Sequence, residues 1–247
     1  MCFAMMGCMS KISDRLKQIE DNIASACQRV GRGTEQVKLI IVTKTAPLEA
    51  VKEIIRLGYV DIGENRVQHL KQVSGEVEKF IADNKDDPKL PKKINWHMIG
   101  HLQRNKTRHA LRISSIIHSV DTLRLAEEID NVAGKMGIRP DVLLQVNCSG
   151  EPQKYGVPVG AATHLAEQLL TMKNMRLVGL MTMAPLTLNK DIVRACFVRA
   201  RELFEEIKGE SLTGLQFKEL SMGMSQDYEM AVEEGATMLR IGSAIFA

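Results

Sequence analysis

Nowhere in its 247 residues does the chain hold an apolar run near the roughly 20 residues that crossing a bilayer requires, so no membrane-spanning helix is expected. Cysteine is sparse and poorly placed for staples. Cys2, Cys8, Cys27, Cys148 and Cys196 are odd in number and widely spread, with no CxxC pair. This speaks against a disulfide framework or a zinc site and fits a reducing compartment such as the cytoplasm. Aromatic residues make up 4%, which leaves few platforms for stacking bases, and a net charge of +3 falls short of the concentrated basic character of a nucleic-acid binder. A small anionic ligand is the easier partner. The opening residues 1–9 are apolar but lack a basic flank, a small-residue cleavage site and an Arg-rich amphipathic character, so they are expected to form a disordered leader. One domain is expected over residues 10–247.

What is present is a repeating alternation of short apolar strands and amphipathic helices. With 45% hydrophobic and 26% charged residues, the composition is that of a chain able to bury a substantial core unaided, and the length suits a one-domain α/β barrel. From Lys11 to Val30, Ile12, Leu16, Ile19, Ile23 and Ala26 recur at helical spacing, with Ser10 as the expected N-cap. Val37–Thr43 is then a β-branched run, the pattern of a strand buried on both faces. Further strands are predicted at Val60–Gly63, Ile94–Ile99, Ile116–Ser119, Asp141–Asn147, Arg176–Met181, Phe217–Leu220 and Met238–Ile241. The helices between them are predicted at Pro47–Leu57, Val67–Ile81, Asn105–Arg112, Leu123–Met136, Gly160–Met172, Ile192–Ile207 and Gln226–Glu234. Asn84–Lys93, charged and holding two prolines, should be a solvated loop. Eight strands separated by helices predict a closed (β/α)8 TIM barrel with an additional N-terminal helix; a doubly wound open sheet is the alternative.

In such barrels the chemistry sits at the carboxyl ends of the strands, often with a phosphate site after strands seven and eight. That rule selects Lys44 after strand one, Gly63-Glu64-Asn65 after strand two, His97 with Gly100 at strand three, Ser221-Met222-Gly223-Met224-Ser225 after strand seven and Arg240-Ile241-Gly242-Ser243 at strand eight. A lysine at the barrel mouth, partly desolvated and near a cation such as Arg240, would have a free amine able to attack an aldehyde. The small residues of the last two loops let backbone N–H groups approach closely, and a helix starting at Gln226 would point its positive end at the same spot. His97 and His118 lack the neighbouring ligands of a metal site and read as core or supporting histidines, so no metal is assigned.

The chain strongly resembles the pyridoxal phosphate homeostasis protein family, whose barrel is similar to the alanine racemase N-terminal domain. The resemblance spans nearly the whole chain. It is carried by Val42-Thr43-Lys44-Thr45, Gly63-Glu64-Asn65, Trp96-His97-Met98-Ile99-Gly100, Leu102-Gln103, Asn105-Lys106, His118-Ser119-Val120-Asp121, Lys154-Tyr155-Gly156, Gly179-Leu180-Met181-Thr182-Met183, Ser221 to Ser225 and Arg240 to Phe246. It implies that Lys44 holds pyridoxal phosphate (PLP) as a Schiff base, that Ser225, Gly242 and Ser243 hold the phosphate, and that Arg240 faces the pyridine nitrogen. Asn65 and Met222 are expected to line the site. Thr43 and Ser243 stand where the family has a serine and a threonine, and each keeps a hydroxyl; Ala247 stands where a glycine is expected. Relatives carry a further tail, so closure of the barrel is expected to rely on the helix at Lys11–Val30.

The function implied is noncatalytic: binding PLP, buffering it, and passing it to PLP-dependent apoenzymes, as a monomer or weak dimer. The alternative is a weak amino-acid racemase, which needs a second base opposite the lysine. Among the tyrosines, Tyr59 precedes its strand, while Tyr155 and Tyr228 fall near active-face loops and read as surface or packing residues. Lys154 is a candidate second acceptor for the aldehyde. The basic run Gln103 to His109 suggests nucleic acid but reads better as a solvated face.

Overall fold

The computed structural model describes residues 3–209 and 214–247. The strands are β1 (Lys38–Val42), β2 (Asp61–Glu64), β3 (Asn95–Met98), β4 (Ile116–Val120), β5 (Asp141–Asn147), β6 (Val157–Pro158), β7 (Arg176–Met181), β8 (Glu219–Ser221) and β9 (Met238–Ile241). All pair in parallel, in the order β4-β3-β2-β1-β9-β8-β7-β5, and a further β4–β5 pairing joins the two ends. That pairing closes the barrel and removes the open-sheet alternative. The eight barrel strands coincide with the eight predicted ones to within a residue or two at their ends. β6 was not foreseen: it is two residues long, contains a proline and pairs only with β5.

Around the barrel stand α1 (Phe3–Arg29), α2 (Leu48–Arg56), α3 (Val67–Asp83), α4 (Thr107–Leu111), α5 (Leu123–Met136), α6 (Val159–Leu170), α7 (Lys190–Gly209), α8 (Tyr228–Glu233) and α9 (Ser243–Phe246). α1 begins at Phe3 rather than at Lys11, so Ser10 lies inside the helix and is not its N-cap. α8 starts at Tyr228, two residues later than Gln226, because residues 225–227 form a turn first. α9, a single turn after the last strand, was also not foreseen.

Strand side chains alternate between the barrel interior and the layer under the helices. Ile40, Ile116, Leu143, Val178, Met181 and Met238 fill the interior as a small apolar cluster, separate from the large cluster between strands and helices. β7 and β8 approach so closely that a Cβ built on Gly179 would lie 1.7 Å from the Glu219 carbonyl oxygen, which leaves glycine as the residue the pairing permits.

α1 covers the seam between the first and last strands. Its residues Ile12, Leu16, Ile19 and Ile23 are buried, as their spacing predicts, and at roughly 1.5–3 kcal/mol per large side chain this face contributes on the order of 6–12 kcal/mol gross. Polar bonds fix its register: Arg15 Nη1 donates to the Ile245 carbonyl at 2.9 Å and Asn22 Nδ2 to the Tyr228 hydroxyl at 2.8 Å. Those contacts tie α1 to α8 and α9, on either side of the last strand.

Candidate functional site

β1 sets the first group. Ile40 points into the barrel, so Val42 shares its side by alternation, and Lys44 falls just past the strand, in the turn at the rim. The Lys44 residue is exposed, not partly desolvated as the sequence suggested, because the chain turns immediately after Val42. Its neighbour is fastened from behind: Thr43 is fully buried and donates its hydroxyl to Glu64 Oε1, while Glu64 Oε2 meets His69 Nδ1 at 2.8 Å. A buried carboxylate thus ties the ends of β1 and β2 to α3. Asn65 follows at half burial, and its backbone is packed against Gly100, where a Cβ would lie 2.2 Å from the Asn65 carbonyl oxygen.

The loops after β8 and β9 meet at Ser225. Its Oγ accepts from the Gly242 N–H at 3.4 Å and the Ala244 N–H at 3.1 Å. Gly242 also lies against β1: a Cβ there would come 2.7 Å from the Val42 carbonyl oxygen. Three strand ends therefore converge, with backbone N–H groups and a hydroxyl gathered near the base of the lysine, a donor set suited to a phosphate. Ser243 is exposed beside them. Met222 is fully buried in the apolar layer beneath the helices, with its N–H bonded to the Met238 carbonyl at 3.1 Å, so it supports this loop through its backbone. The expected positive helix end is absent. Asp227 occupies the N-cap of α8 and its Oδ1 accepts from the Met224 N–H at 2.6 Å, so a carboxyl group stands there, its pKa pushed up by burial.

Arg240 is buried below the rim. Nη1 donates to Ser221 Oγ at 2.6 Å and Nη2 to the Thr182 carbonyl at 2.8 Å. Burial pulls its pKa down to about 10, against the opposing charge of Asp227, and it stays cationic at neutral pH. Guanidinium donates and has no acceptor, so any ring nitrogen set against it receives a hydrogen bond and not a proton.

His97, selected at the end of strand three, and His118, read as a core or supporting histidine, extend this cluster across the barrel. His118 Nδ1 lies 3.0 Å from Ser221 Oγ, His118 Nε2 lies 2.9 Å from His97 Nδ1, and His97 Nε2 lies 3.0 Å from Asp61 Oδ1. Burial depresses both imidazoles, His118 strongly, with the Asp61 hydrogen bond and charge partly restoring His97. Burial raises the Asp61 carboxyl, but its bonds to His97 and Asn95 and the charge of Lys38 outweigh that and bring it below the usual carboxylate range. Asp61 escaped the sequence reading, although a charged residue on the inward side of a barrel strand is a usable signal.

The other candidates are held by contacts of their own. Lys154 Nζ pairs with Glu151 Oε2 at 2.5 Å and donates to the Ala184 carbonyl at 2.8 Å, joining the loops after β5 and β7. Tyr155 is exposed and stacked on His101 with ring centroids 4.2 Å apart, Tyr228 packs toward α1, and Tyr59 donates to Glu20 Oε1 at 2.7 Å. Arg104, Asn105, Arg108 and His109 are exposed, as expected of a solvated face. Cys27, Cys148 and Cys196 are free and buried, and among the described residues no group of three or more His, Cys, Asp or Glu is arranged to hold a metal.

Comparison with known proteins places this geometry in a family. The family model described as "Alanine racemase, N-terminal domain" matches residues 15–247. A pyridoxal phosphate homeostasis protein of Aquifex aeolicus is 40% identical over 233 residues, covering 94% of this chain and 96% of its relative. One from Pseudomonas aeruginosa is 38% identical over 239 residues, covering 96% of each. Among solved structures, PipY of Synechococcus elongatus with PLP bound superposes with a TM-score of 0.78 at 33% identity, covering 96% of this chain and all of that one. The chain belongs to the pyridoxal phosphate homeostasis protein family, built on the alanine racemase N-terminal domain fold.

Proposed function

We propose that this protein binds pyridoxal phosphate at the carboxyl end of its barrel and serves PLP homeostasis, buffering the cofactor and supplying it to apoenzymes, without strong catalysis of its own. The observation that carries the reading is the meeting of Ser225 with the Gly242 and Ala244 N–H groups, and of Gly242 with Val42 at the end of β1, the strand that Lys44 follows. The names of its relatives and the PLP bound in PipY support it. When bound, PLP supplies an aldehyde that condenses reversibly with an amine, losing water, and a ring able to accept electron density.

Lys44 would hold the cofactor through its side-chain amine, which stands exposed at the rim. Ser225, Gly242 and Ser243 hold the phosphate through hydroxyl and backbone N–H donors. Asn65 and the Met222 segment line the site. Arg240 faces the pyridine nitrogen and leaves it unprotonated, which keeps the ring a weak electron sink. Weak carbanion chemistry suits a carrier better than a racemase. Tyr228 is directed at α1 and Tyr155 at His101, so neither tyrosine stands as a base opposite Lys44.

We further assign residues 10–247 to one PLP-binding domain acting in the cytoplasm as a monomer or weak dimer. Borohydride reduction of the PLP-loaded protein followed by peptide mapping tests the central assignment: a pyridoxyl group on Lys44 is expected, and its placement elsewhere, or nowhere, refutes it. Incubation with L-alanine in deuterated water tests the carrier role, since rapid exchange at the α carbon would mark a racemase.

A further inference from the structure

A thread of polar groups passes through an otherwise apolar barrel interior, from Arg240 on β9 through Ser221 on β8, His118 on β4 and His97 on β3 to Asp61 on β2. The interior around it is filled by Ile40, Ile116, Leu143, Val178 and Met238. Lys38 Nζ stands 4.0 Å from Asp61 at the amino-terminal end, and the Glu219 carboxylate also acts on His97. Buried polar groups in such surroundings are costly unless every donor and acceptor is matched.

The protons can be assigned from the carboxylate outward. An ionised Asp61 only accepts, so His97 must donate through Nε2. A neutral His97 then has a bare Nδ1, which accepts from His118 Nε2–H. His118 in turn has a bare Nδ1, which accepts the Ser221 hydroxyl proton, and a Ser221 lone pair receives Arg240 Nη1–H. With both rings neutral this assignment satisfies every link, and all the bonds run in one direction.

We propose that Asp61, His97, His118 and Ser221 are positioning residues for the cofactor site at the opposite end of the barrel. Their one-way chain fixes the plane of the Arg240 guanidinium, whose opposing charge comes from Asp227, and ends on a carboxylate away from the rim. The Thr182 carbonyl on Nη2 completes the clamp, leaving the remaining N–H groups of Arg240 for the ligand. The inference rests on the reading of the rim as a PLP site, and it explains why the interior of β2, β3 and β4 holds charge and imidazole where packing alone would place aliphatic residues.

Two-bond proton–nitrogen NMR on histidine-labelled full-length protein, with and without PLP, tests it. Both His97 and His118 are expected as the neutral Nε2–H tautomer at pH 7.5; an Nδ1–H form or a cationic ring at either position overturns the chain. In Asp61→Ala, His118, which does not touch Asp61, is expected to become a mixture of tautomers, and the visible absorption band of bound PLP is expected to shift. Asp61→Asn keeps a carbonyl acceptor and is expected to restore the single tautomer. A merely structural Asp61 would alter stability alone, so an unchanged His118 spectrum together with an unchanged PLP band in Asp61→Ala overturns the proposal. Should that variant not fold, the parent spectra decide by themselves. The borohydride mapping fails or succeeds independently of these tautomers, so loss of the cofactor assignment is distinguishable from loss of the relay.

Discussion

Replacing Gly242 by alanine is the most informative single perturbation of the site, because its cost can be worked from the geometry. The new Cβ would lie 2.7 Å from the Val42 carbonyl oxygen. An ordinary carbon–oxygen contact is roughly 3.3 Å or more, so about 0.6 Å must be found. The obstacle is backbone of β1, which is held in register with β9 through the Ile41–Ile241 partners, and cannot swing aside as a side chain would. Relief therefore displaces the loop after β9. The Gly242 N–H to Ser225 Oγ bond is already 3.4 Å long, and a displacement of that size breaks it. Overpacking of this kind costs about 1–3 kcal/mol and the lost hydrogen bond about 1 kcal/mol, so urea denaturation is expected to show about 2–4 kcal/mol of destabilisation. A phosphate losing one N–H donor loses about 1.5–3 kcal/mol, or roughly 10- to 150-fold in PLP affinity by titration. Gly75→Ala is the control: it lies in α3 with nothing within 4 Å of its Cβ, and should gain about 0.5–1 kcal/mol and leave PLP binding untouched. A Gly242→Ala protein as stable as the parent, with parental PLP affinity, would refute the reasoning.

The remaining predictions concern the scaffold and its titration. Gly179→Ala puts a Cβ 1.7 Å from the Glu219 carbonyl oxygen, so the β7–β8 pairing must break and a loss of at least about 3 kcal/mol is expected on urea denaturation. Leu16→Ala, at a side chain 1% exposed, should cost about 2–5 kcal/mol and raise amide exchange in α8 and α9, which α1 covers; exchange confined to α1 would count against its role in closing the seam. His97 and His118 have folded pKa values below their unfolded ones, so the unfolded chain takes up more protons, and stability falls as pH drops through the unfolded value near 6.5. Each contributes at most about 1.4 kcal/mol between pH 7.5 and 5.5. The test is the difference between parent and His118→Gln; equal pH slopes in the two would contradict a neutral buried His118.

The barrel was legible because most strands, such as β1, β5 and β7, are β-branched or aliphatic runs between turn residues and the longer helices carry an apolar stripe. Closure was not legible, since the β1–β9 pairing of Lys38 to Ile41 with Met238 to Ile241 joins the two ends of the barrel's strand sequence, a contact that no local pattern records. The rim residues could be named from strand ends, Lys44 and Arg240 among them, but burial could not: one came out exposed and the other enclosed. The α8 start was misplaced because Asp227 bonds the Met224 N–H in a turn, a local choice that competes with helix. The interior thread was half visible. His97 and His118 stood out as polar residues in apolar strands, yet joining them to Asp61 and Ser221 requires the curvature that brings β2, β3, β4 and β8 around one axis.

The anion cradle is assembled where the first and last strands of the barrel meet, from Val42 on one side and Ser225, Gly242 and Ala244 on the other. No partial chain emerging during synthesis possesses it. A ligand seated there is bound only by molecules whose last strand has docked, and its binding energy is added wholly to that final joining step. The cofactor would then act as a latch on the finished cylinder, and release would loosen the same junction that α1 spans.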